Sequence, residues 1–376
     1  MRSSQRTGLY LHVPFCRHKC LYCDFCSFPH PTRERMEAYA DRLCGDLLET
    51  SAGERVDTVY FGGGTPTLLP PSSLIKILKT VQEAWQVEED AEITLECNPD
   101  TVGAEALSEL RRAGFNRISI GMQSANEEEL RRLGRGHRFE DLCRTFHAAR
   151  DAGFENISLD VMSGIPAQTV ESYLQTLHAA VSLAPEHLSA YGLTVEEGTG
   201  FARLQQRGAL PLPDEEETRR MYFEGAEYLE SQGYRQYEIS NFAKSGYESR
   251  HNLKYWCCEE YLGFGPAAYS DYRGARFGNS RDLDAYLAGR SILCEREEPN
   301  EAERENEYVM LKMRLCEGVS KTEFDARFGA GRFARFAERL EKFVPHGLVL
   351  HRGDRFALTR EGMYVSNAIL SDVLEF

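Results

Sequence analysis

The stretch LHVPFCRHKCLYCDFCSF, residues 11–28, places four of the chain's eleven cysteines within eleven residues. Three of them, Cys16, Cys20 and Cys23, follow the spacing Cys-x3-Cys-x2-Cys directly after a short apolar run. Such a compact run can surround one metal centre, and zinc and iron–sulfur clusters both prefer thiolate ligands. Zinc would need a fourth ligand, and no separate second Cys-x2-Cys pair supplies one. The spacing therefore favours an iron–sulfur cluster with one iron open to a small molecule, with a zinc site and structural thiols as alternatives.

The composition is typical of a soluble globular protein, with 42% hydrophobic and 27% charged residues among 376. The formal net charge of -15 disfavours binding to nucleic acid, because the protein's field repels phosphate. The first residues, MRSSQRTGLYLHV, lack the apolar segment of a signal peptide, and no later run approaches the roughly 20 apolar residues of a spanning helix. We therefore expect a cytoplasmic protein without a transmembrane segment, although peripheral association with a membrane is compatible with this sequence. In that compartment thiols stay reduced and bind metal more often than they form disulfides.

Between residues 9 and 193, short apolar runs alternate with longer segments of helical period. This alternation is typical of βα units and predicts a parallel sheet wrapped by helices, either an open doubly wound sheet or a complete or partial barrel. The predicted strands are LYLHV from Leu9, DTVYF from Asp57, EITLE from Glu92, RISIG from Arg117, NISLDV from Asn156 and HLSAYGL from His187.

The alternation is lost after about Glu197, where a helix around 215–232 precedes a loop-rich part. From residue 301 the pattern is helical, and it closes with GLVLHRGDRFALT, which predicts a short hairpin. We therefore divide the chain into a barrel region, 1–235, a loop-rich connecting region, 236–300, and a helical, winged-helix-like domain, 301–376.

Glycines or polar side chains follow four of the predicted strands at the point where each strand ends. The second strand runs into FGGGTPTLL, whose glycines allow close backbone approach and expose amide donors, without the Gly-Lys-Ser/Thr of a P-loop. The next three strands end on Glu96 and Asn98, on Gln123, and on Asp160. Because the carboxyl ends of parallel strands meet at one mouth of the sheet, we expect these groups to lie near the cysteines. Arg135, a planar donor suited to a carboxylate, follows one helix later.

Taken together, YLHVPFCRHKCLYC, FGGGTPTLL, LECNP, ISIGMQS, LGRGH and LDVMSGIPAQT resemble the motifs of the radical S-adenosylmethionine (radical SAM) superfamily. They are similar to the branch that contains the oxygen-independent coproporphyrinogen III dehydrogenases and the related haem chaperones. PEHLSAYGLTVEEGT and YEISNFAKSGYESRHNLKYW extend the resemblance over nearly the whole chain. The resemblance implies an α/β fold, a partial (β/α)6 TIM-like barrel, in which three cysteines hold a [4Fe-4S] cluster and its open iron binds S-adenosylmethionine.

The resemblance also implies individual roles, carried over by motif. Cys16, Cys20 and Cys23 would hold the cluster. The residues implied to contact S-adenosylmethionine are Tyr10, Tyr22, Gly63, Gly64, Thr65, Glu96, Gln123, Arg135 and Asp160. Cys26 stands three places after the last ligand and matches no ligand position, so it is predicted to be a bystander.

Two details favour the chaperone branch over the dehydrogenases. The dehydrogenases resemble one another in a further cysteine two positions after the last ligand, where this chain has Phe25, and in a long extension before the first strand, where fifteen residues precede Cys16 here. The resemblance thus implies a protein that carries haem as cargo to acceptor haemoproteins, with an electron donor if the radical chemistry is used. The alternative is a dehydrogenase that decarboxylates porphyrinogen propionates. The sequence leaves open whether S-adenosylmethionine is cleaved and whether the chain is an enzyme.

The segment HNLKYW, residues 251–256, is a candidate for binding haem. A neutral imidazole is a common axial ligand of haem iron, and aromatic side chains pack on a porphyrin face. His251 is therefore the predicted ligand, with Asn252, Tyr255 and Trp256 around it. The alternative is that His251 only makes hydrogen bonds within a loop core. Relatives often have GAGAHS where this chain has GPAAYS, so that Tyr269 stands where a histidine is expected.

Overall fold

The computed structural model describes residues 6–51 and 53–374 of the chain. The strands are β1 (Thr7–Val13), β2 (Phe15–Cys16), β3 (Phe28–Pro29), β4 (Arg55–Gly63), β5 (Gln86–Cys97), β6 (Arg117–Gln123), β7 (Asn156–Ser163), β8 (His187–Gly192), β9 (Arg235–Gln236), β10 (Asn241–Ala243), β11 (Tyr261–Phe264), β12 (Tyr269–Tyr272), β13 (Ala275–Asn279), β14 (Leu293–Glu297), β15 (Val319–Ser320), β16 (Val349–Arg352) and β17 (Arg355–Leu358). The helices are α1 (Arg33–Thr50), α2 (Pro71–Ala84), α3 (Ala104–Ala113), α4 (Glu127–Leu133), α5 (Phe139–Asp151), α6 (Val170–Ser182), α7 (Gly200–Gln206), α8 (Glu215–Ser231), α9 (Arg250–Trp256), α10 (Leu283–Leu287), α11 (Glu301–Lys312), α12 (Lys321–Phe328), α13 (Ala334–Glu341), α14 (Arg360–Tyr364) and α15 (Ser366–Val373).

The six predicted strands form the centre of one large sheet, as β1, β4, β5, β6, β7 and β8. They pair in chain order, each parallel to the next, which confirms the predicted succession of βα units. The sheet order runs from β14 at one edge to β9 at the other, and these edge strands do not pair with each other. The sheet is therefore open, and the predicted partial barrel is confirmed.

The connecting region contains strands that the sequence did not predict. β9 and β10 extend the sheet beyond β8, and β11 to β14 extend it beyond β1. β11 runs parallel to β1, whereas β12 to β14 follow it as an antiparallel meander. These strands are two to five residues long, too short to show a clear alternation of apolar and polar residues.

The two faces of the central strands have different chemistry. Apolar side chains of β1 and β4 to β8 point outward to the helices, where α2 contributes Leu74, Ile77, Leu78 and Val81 at helical spacing. Because side chains alternate along a strand, the residues between the apolar ones all point to the inner face of the partial barrel. On that face lie Tyr10, Thr58, Tyr60, Glu92, Thr94, Glu96, Arg117, Ser119, Ser158, Asp160, His187, Ser189 and Tyr191.

A second hydrophobic core lies near the carboxyl terminus, between α11 to α15 and a small sheet of β15, β17 and β16. The predicted hairpin is present as β16 and β17, which pair antiparallel from Val349 and Leu358 to Arg352 and Arg355. The division into regions 1–235, 236–300 and 301–376 stays a prediction. Among the residues that the structure describes, no helix is long and apolar enough to cross a membrane.

Candidate cofactor-binding site

The carboxyl ends of the central strands surround a cavity of about 710 Å³. All three predicted cluster ligands and all but one of the residues predicted to contact S-adenosylmethionine line it: Cys16, Cys20, Tyr22, Cys23, Gly63, Gly64, Thr65, Glu96, Gln123, Arg135 and Asp160. His18, Phe25, Asn98, Ser119, Gly121 and Tyr191 are also among its lining residues.

The loop that carries the cysteines is fixed by backbone hydrogen bonds to two other parts of the chain. The N–H of Leu21 donates to the carbonyl of Leu133 at 3.0 Å, and the N–H of Phe201 donates to the carbonyl of Leu21 at 2.8 Å. A side chain at Gly200 would bring its Cβ within 2.8 Å of the Leu21 side chain. The middle of the cysteine loop therefore packs against the ends of α4 and α7, which holds Cys20 and Cys23 at the cavity.

The glycine run brings the end of β4 into close contact with the strand that carries Cys16. The N–H of Gly64 donates to the carbonyl of Val13 at 2.8 Å, and the N–H of Thr65 donates to that of Phe15 at 2.7 Å. A Cβ at Gly64 would lie 2.5 Å from the Phe15 carbonyl oxygen, so only glycine fits there. The run thus places two chain segments side by side, and the Thr65 hydroxyl then lies 3.4 Å from the Cys16 Sγ.

Glu96 is the main acidic group of the cavity, and both of its carboxylate oxygens accept hydrogen bonds from the protein. The Tyr60 hydroxyl donates to Oε1 at 2.8 Å, and the N–H of Gly63 donates to Oε2 at 3.1 Å. Burial raises the pKa of Glu96 to about 7, although the Tyr60 hydrogen bond opposes that shift. The carboxyl group therefore changes charge near neutral pH.

Arg135 reaches the cavity, which the sequence could not determine. Its Nη2 donates to the Asn98 side-chain oxygen and to the Gly121 carbonyl, both at 2.7 Å, and Nη1 lies 3.8 Å from the Cys20 Sγ. A Cβ at Gly121 would lie 2.8 Å from Nη2, so the glycine makes room for the guanidinium. Arg135 thus places a permanent positive charge beside Cys20, one of the predicted cluster ligands.

Two further predicted residues, Asp160 and Gln123, line the same cavity. The Asp160 Oδ1 accepts from the Ser119 hydroxyl at 3.0 Å, and burial raises the pKa of this carboxyl group. The Gln123 side-chain oxygen accepts from the hydroxyl of Tyr191 at 2.8 Å. Tyr191 is a lining residue that the sequence analysis missed. Its place near the end of the sixth strand was the signal that could have identified it.

Tyr10 is the predicted contact that does not line this cavity. Its ring lies deeper in the partial barrel, stacked near Tyr60 and His251 with centroid distances of 6.1 and 6.3 Å, and its hydroxyl lies 3.1 Å from the His12 Nδ1. Cys26 does not line the cavity either, and it is buried.

The HNLKYW segment forms α9, which fills the inner face of the partial barrel beneath the cavity. Glu92 accepts hydrogen bonds from the backbone N–H groups of Arg250 and His251, both at 3.0 Å, and so caps the amino end of this helix. Lys254 is buried, and its Nζ lies 2.8 Å from the Asp57 Oδ1. The segment is therefore part of the interior packing of the barrel.

His251 itself is 1% exposed, and its ring makes two hydrogen bonds within the protein. Nδ1 lies 2.8 Å from the Thr58 hydroxyl, and Nε2 lies 2.8 Å from the Tyr255 hydroxyl. Burial lowers the pKa of His251 to about 3, so the imidazole is neutral. This position does not present a ring nitrogen to a ligand. Haem ligation by His251, with Asn252, Tyr255 and Trp256 around it, stays an untested prediction that would require α9 to move.

Comparison with known proteins gives the family. Residues 10–180 match the model of the radical SAM superfamily, and residues 300–365 match that of the HemN C-terminal domain. The chain is 36% identical to the heme chaperone HemW of Bacillus subtilis, over 97% of this chain and 98% of that protein. This chain belongs to the HemW family of the radical SAM superfamily.

Other relatives of this HemW family member extend the comparison. The heme chaperone HemW of Escherichia coli is 35% identical over 96% of this chain and 97% of its own length. The mitochondrial radical S-adenosyl methionine domain-containing protein 1 of Bos taurus is 34% identical over 99% of this chain and 88% of its own length. The solved structure of Escherichia coli coproporphyrinogen III oxidase (HemN) superposes with a TM-score of 0.86, covers 99% of this chain and 91% of its own, and is 24% identical. The likeness to that structure shows a shared fold.

As a radical SAM protein, the HemW family member has a [4Fe-4S] cluster and S-adenosylmethionine as its cofactors, and the cavity fits both. Burial raises the pKa of the Cys23 thiol to about 11 and also raises that of Cys16, so these sulfurs are poor anions unless a metal takes their protons. The three cysteines line this one cavity, and three thiolate ligands leave one iron of a [4Fe-4S] cluster open. Glu96, Asp160 and Gln123 supply acceptors and donors around the rest of the cavity for the polar groups of S-adenosylmethionine.

Proposed function

We propose that this chain is a haem chaperone, which binds haem and transfers it to an acceptor haemoprotein while it holds a [4Fe-4S] cluster and S-adenosylmethionine. The observation that carries the proposal is the relationship to heme chaperones HemW at 35–36% identity over nearly the full length of both chains. Phe25 supports it, because its side chain stands where the dehydrogenases have a further cysteine, and it lines the cofactor cavity.

Within this proposal, Cys16, Cys20 and Cys23 hold the cluster, and Arg135 balances the negative charge of the thiolates from 3.8 Å away. When bound, the cluster and S-adenosylmethionine supply one-electron chemistry, for which an electron donor would be the further partner. Glu96 and Asp160 accept hydrogen bonds from amino or ribose hydroxyl groups of S-adenosylmethionine. Gln123 and Tyr22 lie beside the bound molecule. The Gly63 to Thr65 turn shapes the cavity at the carboxylate end, because its three N–H groups already donate to acceptors within the protein.

The same proposal places the protein in the cytoplasm, where reduced thiols remain available to a cluster. All eleven cysteines are free in the structure. The net charge of -15 makes nucleic acid a poor partner.

A second candidate function is the oxidative decarboxylation of porphyrinogen propionates. It is favoured by the complete set of cofactor residues in one cavity, since a carrier of haem has no evident need for a radical source. It is disfavoured by Phe25, which leaves the position of the additional cysteine without a thiol.

One anaerobic experiment separates the two functions. The protein with reconstituted cluster is incubated with coproporphyrinogen III, S-adenosylmethionine and a reductant, and a parallel sample receives haem. Porphyrin product, 5′-deoxyadenosine and bound haem are then measured. A chaperone yields tight haem binding without porphyrin turnover. Repeated formation of protoporphyrinogen IX would contradict the proposal and establish the dehydrogenase.

A further inference from the structure

A second cleft, of about 670 Å³, opens beside the cofactor cavity, between the cysteine loop and strands β1, β11 and β12. Its lining residues are Tyr10, His12, Asp24, Phe25, Cys26, Tyr255, Tyr261, Ala267, Tyr269 and Arg281. Phe25 lines both the cleft and the cofactor cavity, so the two are neighbours with one aromatic side chain as their shared wall. No predicted cofactor contact other than Tyr10 lies in this cleft.

The cleft exposes aromatic surface to solvent. The side chain of Phe25 is 67% exposed and that of Tyr269 is 45% exposed, and both face the same opening. Scattered exposed aromatics are ordinary on protein surfaces, but two across one cleft, with Tyr255 and Tyr261 in its wall, form a continuous aromatic lining. Such a lining suits a flat, apolar ring system that can stack on several aromatic faces.

Tyr269 is held in place by a glycine on the neighbouring strand. It pairs with Gly278 between β12 and β13, and a Cβ at Gly278 would lie only 2.6 Å from the tyrosine ring. The ring therefore lies across the backbone of β13, with its other side open. Its hydroxyl donates to the Glu295 carboxylate at 3.3 Å, so a proton acceptor stands beside the phenol oxygen.

Arg281 places a positive charge at the rim of the cleft. Its guanidinium forms an ion pair with Asp24, with Nη2 and Oδ2 3.0 Å apart, and its side chain is 62% exposed. A guanidinium has five N–H donors, so an exposed one can bind a second carboxylate beside the first. An aromatic slot with a cation at its edge matches a porphyrin, which has a flat apolar face and carboxylates on one side.

We propose that this cleft is the haem-binding site of the chain and that the phenol oxygen of Tyr269 ligates the ferric iron. Tyrosine oxygen is one of the protein ligands that haem iron accepts. As the iron–oxygen bond forms, the O–H bond of Tyr269 breaks, and its proton passes to the Glu295 carboxylate without any change in oxidation state. The inference rests on the proposed function for the identity of the ligand.

The two histidines in and beside the cleft are already engaged. The His12 Nε2 lies 2.9 Å from the Cys26 carbonyl and its Nδ1 lies 3.1 Å from the Tyr10 hydroxyl, so that ring has no unused nitrogen. His251 is hydrogen-bonded at both nitrogens, one of them to Tyr255. Tyr269 combines an exposed ring, a position in the cleft and an adjacent proton acceptor.

The test is haem binding by the full chain with its cluster reconstituted, followed by difference absorption and resonance Raman spectroscopy against haem-free protein of equal cluster content. The variant is Tyr269→Phe, which keeps the ring on Gly278 and removes the oxygen. The matched control is Tyr272→Phe, on the same strand, whose hydroxyl also donates to a glutamate but lies outside the cleft. His251→Phe tests the competing ligand.

We expect ferric haem in the parent protein and in Tyr272→Phe to show the charge-transfer band and the iron–oxygen stretch of a tyrosinate complex. Tyr269→Phe should lose both signals and bind haem at least about tenfold more weakly. His251→Phe should keep the tyrosinate signals. Haem binding to Tyr269→Phe with the spectrum and affinity of the parent protein would overturn the site and leave the chaperone proposal standing. Failure of the parent protein to bind haem would overturn both.

Discussion

We predict that Glu96 makes the binding of S-adenosylmethionine depend on pH near neutrality. Burial raises the pKa of this carboxyl group to about 7, so in the absence of the ligand it is about one tenth ionised at pH 6 and about nine tenths ionised at pH 8. Both oxygens already accept hydrogen bonds, from Tyr60 and Gly63. The ionised group has lone pairs left for an amino or hydroxyl donor, whereas the protonated group loses acceptor capacity to its own proton.

The magnitude follows from the ionised fraction. If the ligand binds the ionised form, the apparent affinity scales with that fraction and rises about tenfold from pH 6 to pH 8. The apparent affinity for S-adenosylmethionine rises with pH. This is because the pKa of Glu96 is raised in the free protein and is lowered when a donor or a cation binds to the carboxylate.

The measurement is equilibrium binding of S-adenosylmethionine to the reconstituted, oxidised protein at pH 6, 7 and 8, for the parent and for Glu96→Gln. A glutamine can accept from the Gly63 N–H and donate to the Tyr60 oxygen, so the cavity keeps its hydrogen bonds. Titration of the ligand itself affects both proteins equally and cancels in their ratio. We expect the ratio of parent to variant affinity to rise about tenfold over this range. A ratio that does not change with pH would refute the role given to Glu96.

Three further changes test the account of the site. Cys23→Ser should abolish the iron content of the reconstituted protein, whereas Cys26→Ser should leave it unchanged, as measured by iron and sulfide analysis. Loss of iron from Cys26→Ser would make Cys26 a ligand. Gly64→Ala should lower the free energy of unfolding by about 1–3 kcal/mol in urea titrations, because the added Cβ would overlap the backbone that carries Cys16. Gly45→Ala, at a helical position with open space, should not lower the free energy of unfolding. His251→Phe should lower the free energy of unfolding by about 1–3 kcal/mol, since two buried hydroxyl groups lose their partner; an unchanged stability would show that α9 is not part of the interior.

The centre of the fold could be predicted because its signals are local. The six parallel strands each bury an apolar face against helices, and that burial appears in the sequence as short apolar runs between amphipathic segments. Glu96, Gln123 and Asp160 share a mouth for the same reason, since the ends of parallel strands coincide in any such sheet. Arg135 was also a candidate from the sequence, but its contact with Asn98 depends on the turn after α4.

The remaining features depend on contacts between distant segments. Nothing near Tyr10 in the sequence indicates that the neighbouring strand and α9 place its ring below the cavity, beside Tyr60 and His251. The HNLKYW segment has the composition of a haem site, but Glu92, 159 residues earlier than His251, fixes it as an interior helix. The edge strands β9 to β14 are short and partly exposed, so they are formed by the sheet they extend and carry little pattern of their own.

The central claim is that this chain delivers haem to another protein, and the dependence of transfer rate on acceptor concentration tests it most directly. Protein loaded with isotopically labelled haem is mixed anaerobically with increasing amounts of a haem-depleted b-type cytochrome, and labelled holocytochrome is measured over time. Direct delivery predicts a rate that rises with acceptor concentration and exceeds the rate at which haem dissociates into buffer. A rate that equals spontaneous dissociation at every acceptor concentration would contradict the account.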